Sequence, residues 1–258
     1  MTAVVGNPAA RIGAADIVSG KARYTADLDM PGMLVGVLLY PTITPSRILR
    51  VDASRARALP GVMAVLTHAD VPGLNRYTYS YVEDQPLLVS EFAQYPGDAI
   101  AAVAAIDEAA AQAALRAIDV VLEPLEGVFD PIEAMRPGAQ QVWPDRPNLH
   151  NHLVIEHGDV EAGFAGAAVV VEGEYTTQLI EQAYLEPEGA VATVDVDGTI
   201  AVYASCQAPH RDRGQIARAL GIFENQVRVI TPYIGGAFGG KDEAHVQIHA
   251  ALLAQSTR

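Results

Sequence analysis

Apolar and polar positions along the chain fall into short runs divided by turn-forming residues, and the period of those runs changes from segment to segment. From about Val18 onward the pattern predicts strands with short helices between them. Residues 34–40 form an apolar run of strand length. Residues 47–52 lead into a short helical stretch at 53–59 that Pro60-Gly61 stops, and 62–66 begin another strand. Residues 99–106 read as a strand, 107–118 as an alanine-rich helix with Asp107 as its N-cap, and 119–122 as a strand closed by Pro124. Together these three predict a β-α-β unit. Pro131, Pro137, Pro144 and Pro147 then follow with little periodicity, so a linker and domain boundary are expected around 130–152.

The second half opens with strict alternation at 167–178, read as a strand. Two further alternating runs, 190–196 and 199–205, meet across Asp197-Gly198, a dipeptide that favours the tight turn of a hairpin. Residues 211–220 have helical spacing with Gly221 as C-cap, 226–231 form a strand that runs into a glycine loop, and 242–256 a helix whose first residues are acidic. No internal repeat and no low-complexity tract is present.

Composition narrows the class. At 258 residues, 50% of them hydrophobic and 19% charged, the chain is long enough for a substantial core, and a folded protein of one or two domains is expected. The longest apolar run, 99–106, is far shorter than a membrane-spanning helix requires. The first residues lack a basic start followed by an apolar stretch, so a cytoplasmic location without a secretory leader is expected. A net charge of −14 repels nucleic acid and anionic membranes, so neither is an expected partner. The single cysteine, Cys206, excludes an internal disulfide and a multi-thiolate metal centre; a buried thiol is its simpler reading. The only lysines are Lys21 and Lys241, and the second lies in the glycine loop.

That loop, Gly235-Gly236-Ala237-Phe238-Gly239-Gly240-Lys241-Asp242, sits between a strand and a helix, where main-chain N–H groups and a helix N-terminus can meet an anionic or oxo ligand. A tight turn needing positive φ is the alternative. The spacing of Gly235, Gly240 and Lys241 fits a P-loop up to its last position, where Asp242 replaces the hydroxyl residue and would repel phosphate. No three glycines have the dinucleotide-binding spacing. His245 and His249 lie four apart with neither the intervening glutamate nor a third ligand, and read as an ordinary helix pair; His150, His152 and His157 have no ligand spacing. Glu181, Glu186 and Glu188 either face the side of a bound ligand or, the commoner case for carboxylates in a strand-to-loop segment, are solvated, and Lys241 either pairs with a nearby carboxylate or is solvated.

Three motifs in order carry a resemblance: Glu181-Gln182-Ala183-Tyr184-Leu185-Glu186-Pro187, Ser205-Cys206-Gln207-Ala208-Pro209-His210, and the glycine loop. They resemble the start of the molybdopterin-binding region of the xanthine dehydrogenase and aldehyde oxidase family. The N-terminal part, with Gly20-Lys21-Ala22-Arg23-Tyr24-Thr25-Ala26-Asp27, Pro31-Gly32-Met33-Leu34, Leu59-Pro60-Gly61-Val62 and Asp70-Val71-Pro72-Gly73, is similar to that family's α/β hammerhead domain.

The resemblance implies an α+β protein: a hammerhead domain over 1–129 with its core at about 18–126, a linker at 130–152, and an incomplete first part of the molybdopterin-binding domain over 153–258. It implies molybdenum on a molybdopterin, in the cytosine dinucleotide form, that oxidises a C–H bond of an aldehyde or N-heterocycle with water-derived oxygen. Electrons would pass to 2Fe-2S clusters and FAD on partner subunits or domains. By similarity, Gln207 bonds an oxygen ligand of molybdenum, the Phe238 and Gly239 N–H groups approach its oxo group, and Gly240 leaves the backbone accessible. Asp242 takes the place of a substrate-contacting glutamate, one methylene shorter, with Glu243 as the second candidate; two acids stabilised by a helix dipole are the alternative. Ala237, where the family often has glycine, is expected not to need positive φ. The general base and most cofactor contacts are expected in a continuation contributed by another polypeptide or region, so no catalytic residue and no direct metal ligand is assigned here. A non-catalytic binding module of the same fold is the competing reading.

Overall fold

The computed structural model describes residues 5–77 and 83–258. Contacts divide the chain into two units, one of residues 1–125 with 182–258 and one of 126–181. The larger unit opens with helix α1 (Ala14–Val18), strands β1 (Val35–Leu39) and β2 (Ser46–Asp52), the one-turn helix α2 (Ser54–Arg57) and strand β3 (Val62–Leu66). Two-residue strands β4 (Arg76–Tyr77), β5 (Gln85–Pro86) and β6 (Phe92–Ala93) precede β7 (Ala101–Ala105), helix α3 (Glu108–Ala117) and β8 (Asp119–Pro124). In the smaller unit lie α4 (Pro131–Ala134) and α5 (Val160–Gly166). The larger unit resumes with β9 (Ala190–Val194), β10 (Ile200–Ala204), α6 (Pro209–Leu220), β11 (Val227–Ile230) and α7 (His245–Ser256).

β7 explains how the larger unit is layered. It is the middle strand of an antiparallel sheet ordered β1-β7-β3, and all five of its residues are buried. Successive side chains of a strand point to opposite faces. Ala102 and Ala104 join a core with Ile200, Ile216, Ile248 and Leu252, whereas Ala101 and Val103 join a second core with Ala56, Ala114 and Ile118. Small residues on both faces let α3 approach on one side and α7 on the other. The hairpin expected across Asp197-Gly198 is present: β9 pairs antiparallel with β10 through Ile200 and Val194, and β11 adds in parallel on the far edge of β10. The β10-α6-β11 crossover sets α6 against α7, and the loops after β10 and β11 open at the same sheet end.

Asp107 caps α3 as its sequence position suggests, accepting a hydrogen bond from Ala110 N–H at 2.7 Å. Its replacement by alanine is expected to lower stability by about 1 kcal/mol, read as a shift of the urea midpoint.

Three expectations are corrected. β7 and β8, read as neighbours in one β-α-β unit, belong to separate sheets: β8 pairs antiparallel with β2, in the order β6-β2-β8. Residues 167–178 form no strand, pair with no strand among the described residues, and expose Val169, Val171 and Tyr175, so the alternating pattern is not that of a half-buried sheet strand. The last helix begins at His245 rather than Asp242, because the residues before it are held by bonds described next.

Candidate functional site

The chain leaves β11 at Ile230 and reaches α7 at His245 through a loop in which Gly236 (φ 106°), Phe238 (φ 50°) and Gly239 (φ 92°) are left-handed. Positive φ is uncommon for a residue with a Cβ, and Phe238 holds it with a side chain that is 77% exposed. Ala237, as expected, does not adopt it. Gly240 N–H donates to Ala237 C=O at 2.8 Å and closes the turn. Gly239 N–H donates to Gln207 Oε1 at 3.0 Å, and Gln207 N–H in turn donates to Lys241 C=O at 3.0 Å. Gln207, Phe238, Gly239 and Gly240 therefore meet in one hydrogen-bonded unit, but the Gly239 N–H, expected to face an oxo group, is taken by Gln207, a correction to that expectation.

The glycines differ in what they need. A Cβ on Gly239 would meet nothing within 4 Å, so that position opens outward and is glycine for its backbone angle. A Cβ on Gly240 would overlap the Tyr184 ring, so that glycine makes room for packing on the inner side.

Lys241 pairs with a carboxylate rather than with water. Its side chain is fully buried, with Nζ 2.8 Å from Glu186 Oε2 and 4.7 Å from the centre of the Tyr184 ring. The same Glu186 oxygen accepts Gly235 N–H at 2.7 Å. Burial would raise the Glu186 pKa, but the hydrogen bonds from Lys241 and Gly235 and the Lys241 charge outweigh it and hold the carboxyl below its usual range. The expectation of a solvated carboxylate is thus corrected for Glu186, and also for Glu188, whose burial pushes its pKa up to about 7. His245 Nε2 lies 3.3 Å from Glu188 Oε2, and burial lowers the His245 pKa to about 4. With its pKa lowered to about 4 the imidazole is neutral near pH 7, so this contact is not an ion pair of two full charges. Glu181 is exposed.

Asp242 turns to Arg211, which donates to both its carboxylate and its main-chain oxygen. Glu243 is half-buried, and burial raises its pKa against the opposing Arg211 charge. Cys206 is buried 3.3 Å from Thr231 Oγ1, with its thiol pushed up to about 12 by burial, which makes it an inert thiol. His249 Nε2 bonds Leu87 C=O at 2.8 Å, and among the described residues no three His, Cys, Asp or Glu side chains group to hold a metal. Sequence reasoning missed Tyr184 and Arg211, although both stand in or beside quoted motifs. A P-loop requires a lysine free to reach phosphate, and Lys241 is committed to Glu186 beneath the loop.

A left-handed glycine loop beside a carboxamide, on a scaffold of small sheets, is an arrangement able to meet an oxo-bearing or anionic group. Residues 143–258 match the molybdopterin cofactor-binding domain, and residues 19–126 match the aldehyde oxidase and xanthine dehydrogenase a/b hammerhead domain. The chain belongs to the aldehyde oxidase and xanthine dehydrogenase family. It is 43% identical over 237 residues to a probable xanthine dehydrogenase subunit of Bacillus subtilis, a match that covers 92% of this chain and 32% of that protein. It is 37% identical over 255 residues to the nicotinate dehydrogenase large molybdopterin subunit of Eubacterium barkeri, covering 99% of this chain and 60% of that subunit. The aldehyde oxidoreductase of Desulfovibrio gigas superposes with a TM-score of 0.86 at 30% identity, over 96% of this chain and 29% of that one. The chain thus spans from about a third to 60% of the length of these curated relatives.

Proposed function

We propose that this chain supplies one wall of the molybdopterin site of a molybdenum hydroxylase, with residues 1–129 as hammerhead domain, 130–152 as linker and 153–258 as the first part of the cofactor domain. The matched ranges 19–126 and 143–258 support that division. The observation that carries the reading is the joining of Gln207 to Gly239. Gln207 commits its carboxamide oxygen to the loop, which orients its NH2 group outward as a donor. Among the described residues neither that group nor Phe238 N–H has a protein partner, and Gly239 faces open space. Asp242, the nearest acid in sequence, is neutralised by Arg211. These residues fit an oxo-bearing group: neutral donors, fixed in place, with no unpaired charge aimed at it.

The oxidation of a C–H bond of an aldehyde or N-heterocycle with a water-derived oxygen is the chemistry the molybdenum–pterin group supplies when bound. Gln207 and Phe238 orient it by hydrogen bonds, while Gly239 allows close approach of the main chain. Glu243, not Asp242, is the acid left to face substrate. The cytosine dinucleotide form, a continuation with the rest of the cofactor domain and the general base, iron–sulfur and FAD partners, and a cytoplasmic setting complete the proposal. The relatives named as a large molybdopterin subunit and as a xanthine dehydrogenase subunit support it. No helix among the described residues is long and apolar enough to cross a membrane.

The test is isolation from the native host through a tag at the N-terminus of this chain. Molybdenum and a pterin are expected in equimolar amount with the tagged protein, and Gln207→Ala is expected to lower both. A tagged protein that folds and assembles but carries neither overturns the reading.

A further inference from the structure

Of the two lysines in the sequence, Lys241 is wholly buried, a state rare for lysine unless paired. A buried ion pair is a poor source of stability, because desolvation offsets most of the attraction and apolar or neutral replacements are often no worse. What this pair does is geometric. One oxygen of Glu186 receives Lys241 Nζ from one end of the glycine loop and Gly235 N–H from the other. The five residues between, 236–240, contain all three left-handed positions. The Lys241 ammonium also lies over the Tyr184 ring, and that ring fills the space that a side chain at Gly240 would take. At its own backbone, Lys241 accepts the Gln207 N–H.

We propose that Lys241 and Glu186 are positioning residues for the cofactor loop, pinning both of its ends to one buried carboxylate so that the Phe238 N–H and the Gln207 NH2 group, the latter oriented through Gly239, are in place before the cofactor arrives. The inference rests on the molybdopterin reading and adds to it the device that pre-forms the cradle. Pinned ends leave the loop no slack through which strained left-handed residues could relax. Without the pin, the loop samples other conformations and cofactor binding must supply the ordering entropy.

The decisive variant is Lys241→Met combined with Glu186→Gln, which removes both charges together and leaves Gly235 an acceptor. It is compared with the wild type as the tagged complex from the native host. Hydrogen exchange is read over peptides spanning 235–241, with α7 as internal control, alongside the molybdenum content. The double variant is expected to keep its melting temperature within a few degrees while loop amides exchange about tenfold faster, and α7 unchanged. Molybdenum content is expected to fall about tenfold, since only a fraction of loops remains competent. Glu186→Gln alone, which keeps shape and fold, is expected to move both readouts in the same direction by about threefold. Loop exchange within about twofold of wild type in either folded variant overturns the clamp. Faster exchange with molybdenum fully retained overturns its role toward the cofactor. A wild-type complex free of molybdenum refutes the cofactor reading instead, and the exchange result still decides whether the clamp holds the loop.

Discussion

Gly73→Ala is expected to destabilise the fold by about 3 kcal/mol, at the upper end of overpacking substitutions, although one methyl group is all it adds. Gly73 N–H donates to Ala219 C=O at 3.0 Å and Leu74 N–H to Arg218 C=O at 2.9 Å, so this segment adds donors to the last carbonyls of α6, of which Arg218 C=O also accepts the Gly221 N–H at 3.3 Å. A Cβ on Gly73 would overlap the Arg218 carbonyl oxygen and lie 2.6 Å from Gly221 N and 2.8 Å from Ala219 O. All three are backbone atoms, so nothing can rotate aside. Relief requires lifting the segment off the helix end, with loss of both hydrogen bonds, or shifting α6. A shift of α6 moves Arg211, on its first turn, and Gln207, two residues before it starts. Urea unfolding of the protein measures the effect. Gly163→Ala, on exposed α5 with nothing within 4 Å of the new Cβ, is the control and is expected to be stabilising by about 0.5–1 kcal/mol. A Gly73→Ala variant as stable as wild type would show that the contact between segment 73–74 and α6 is not a close-packed one.

Local pattern was sufficient wherever an element is defined by its own residues. Residues 62–66 are a strand with the predicted bounds, Asp107 caps the helix it precedes, and Asp197-Gly198 turns the hairpin. Pairing partners are a different kind of information. Alternation at 167–178 describes a segment with an apolar face, and only an adjacent edge would make it a strand. Likewise 99–122 reads as β-α-β from order alone, yet β8 is taken by β2, and β7 lies between β1 and β3. The site divides in the same way. That Gln207 lies with Phe238, Gly239 and Gly240 follows from motifs that resemble the family's in order, and the bond from Gly239 N–H to Gln207 joins them. Lys241 and Glu186 are 55 residues apart, and no spacing rule joins them. The signal in the sequence is that Lys241 is one of two lysines in a chain that uses arginine at its other basic positions. Asp242 shows the converse: its position suggested a substrate contact, and Arg211, 31 residues upstream, claims it. Burial separates Glu186 and Glu188 from Glu181, and burial is a property of the assembled sheets rather than of the segment.

Beneath this site Asp212→Asn is expected to make the protein more stable, and only above about pH 4. Asp212 is 1% exposed on the first turn of α6, and its pKa is pushed up to about 6, chiefly by burial, with the Cys206 thiol and the Arg211 charge pulling the other way. A carboxyl whose folded value lies above its unfolded value binds its proton more tightly in the fold. Its stabilising contribution is therefore complete below about pH 4 and is lost as pH rises through 6. Above that the native protein keeps a buried carboxylate at a cost. A rise from the ordinary 3.8 to about 6 corresponds to at most about 3 kcal/mol, and the helix dipole, which favours an acid on this turn, sets the expected gain for asparagine nearer about 2 kcal/mol at pH 8. Asparagine also keeps an oxygen for the 3.4 Å contact from Gln247 Nε2. Urea midpoints of the two proteins from pH 4 to pH 8 measure the difference. Glu188, whose raised value gives the same sign, and His245, whose lowered value gives the opposite one, are present in both proteins and cancel. A difference that opens between pH 4 and 6 and then levels is expected. A variant that is less stable at pH 8, or a difference independent of pH, would mean that the neighbours of Asp212 favour its ionised form, and that the carboxylate is a stabilising part of the fold rather than a cost.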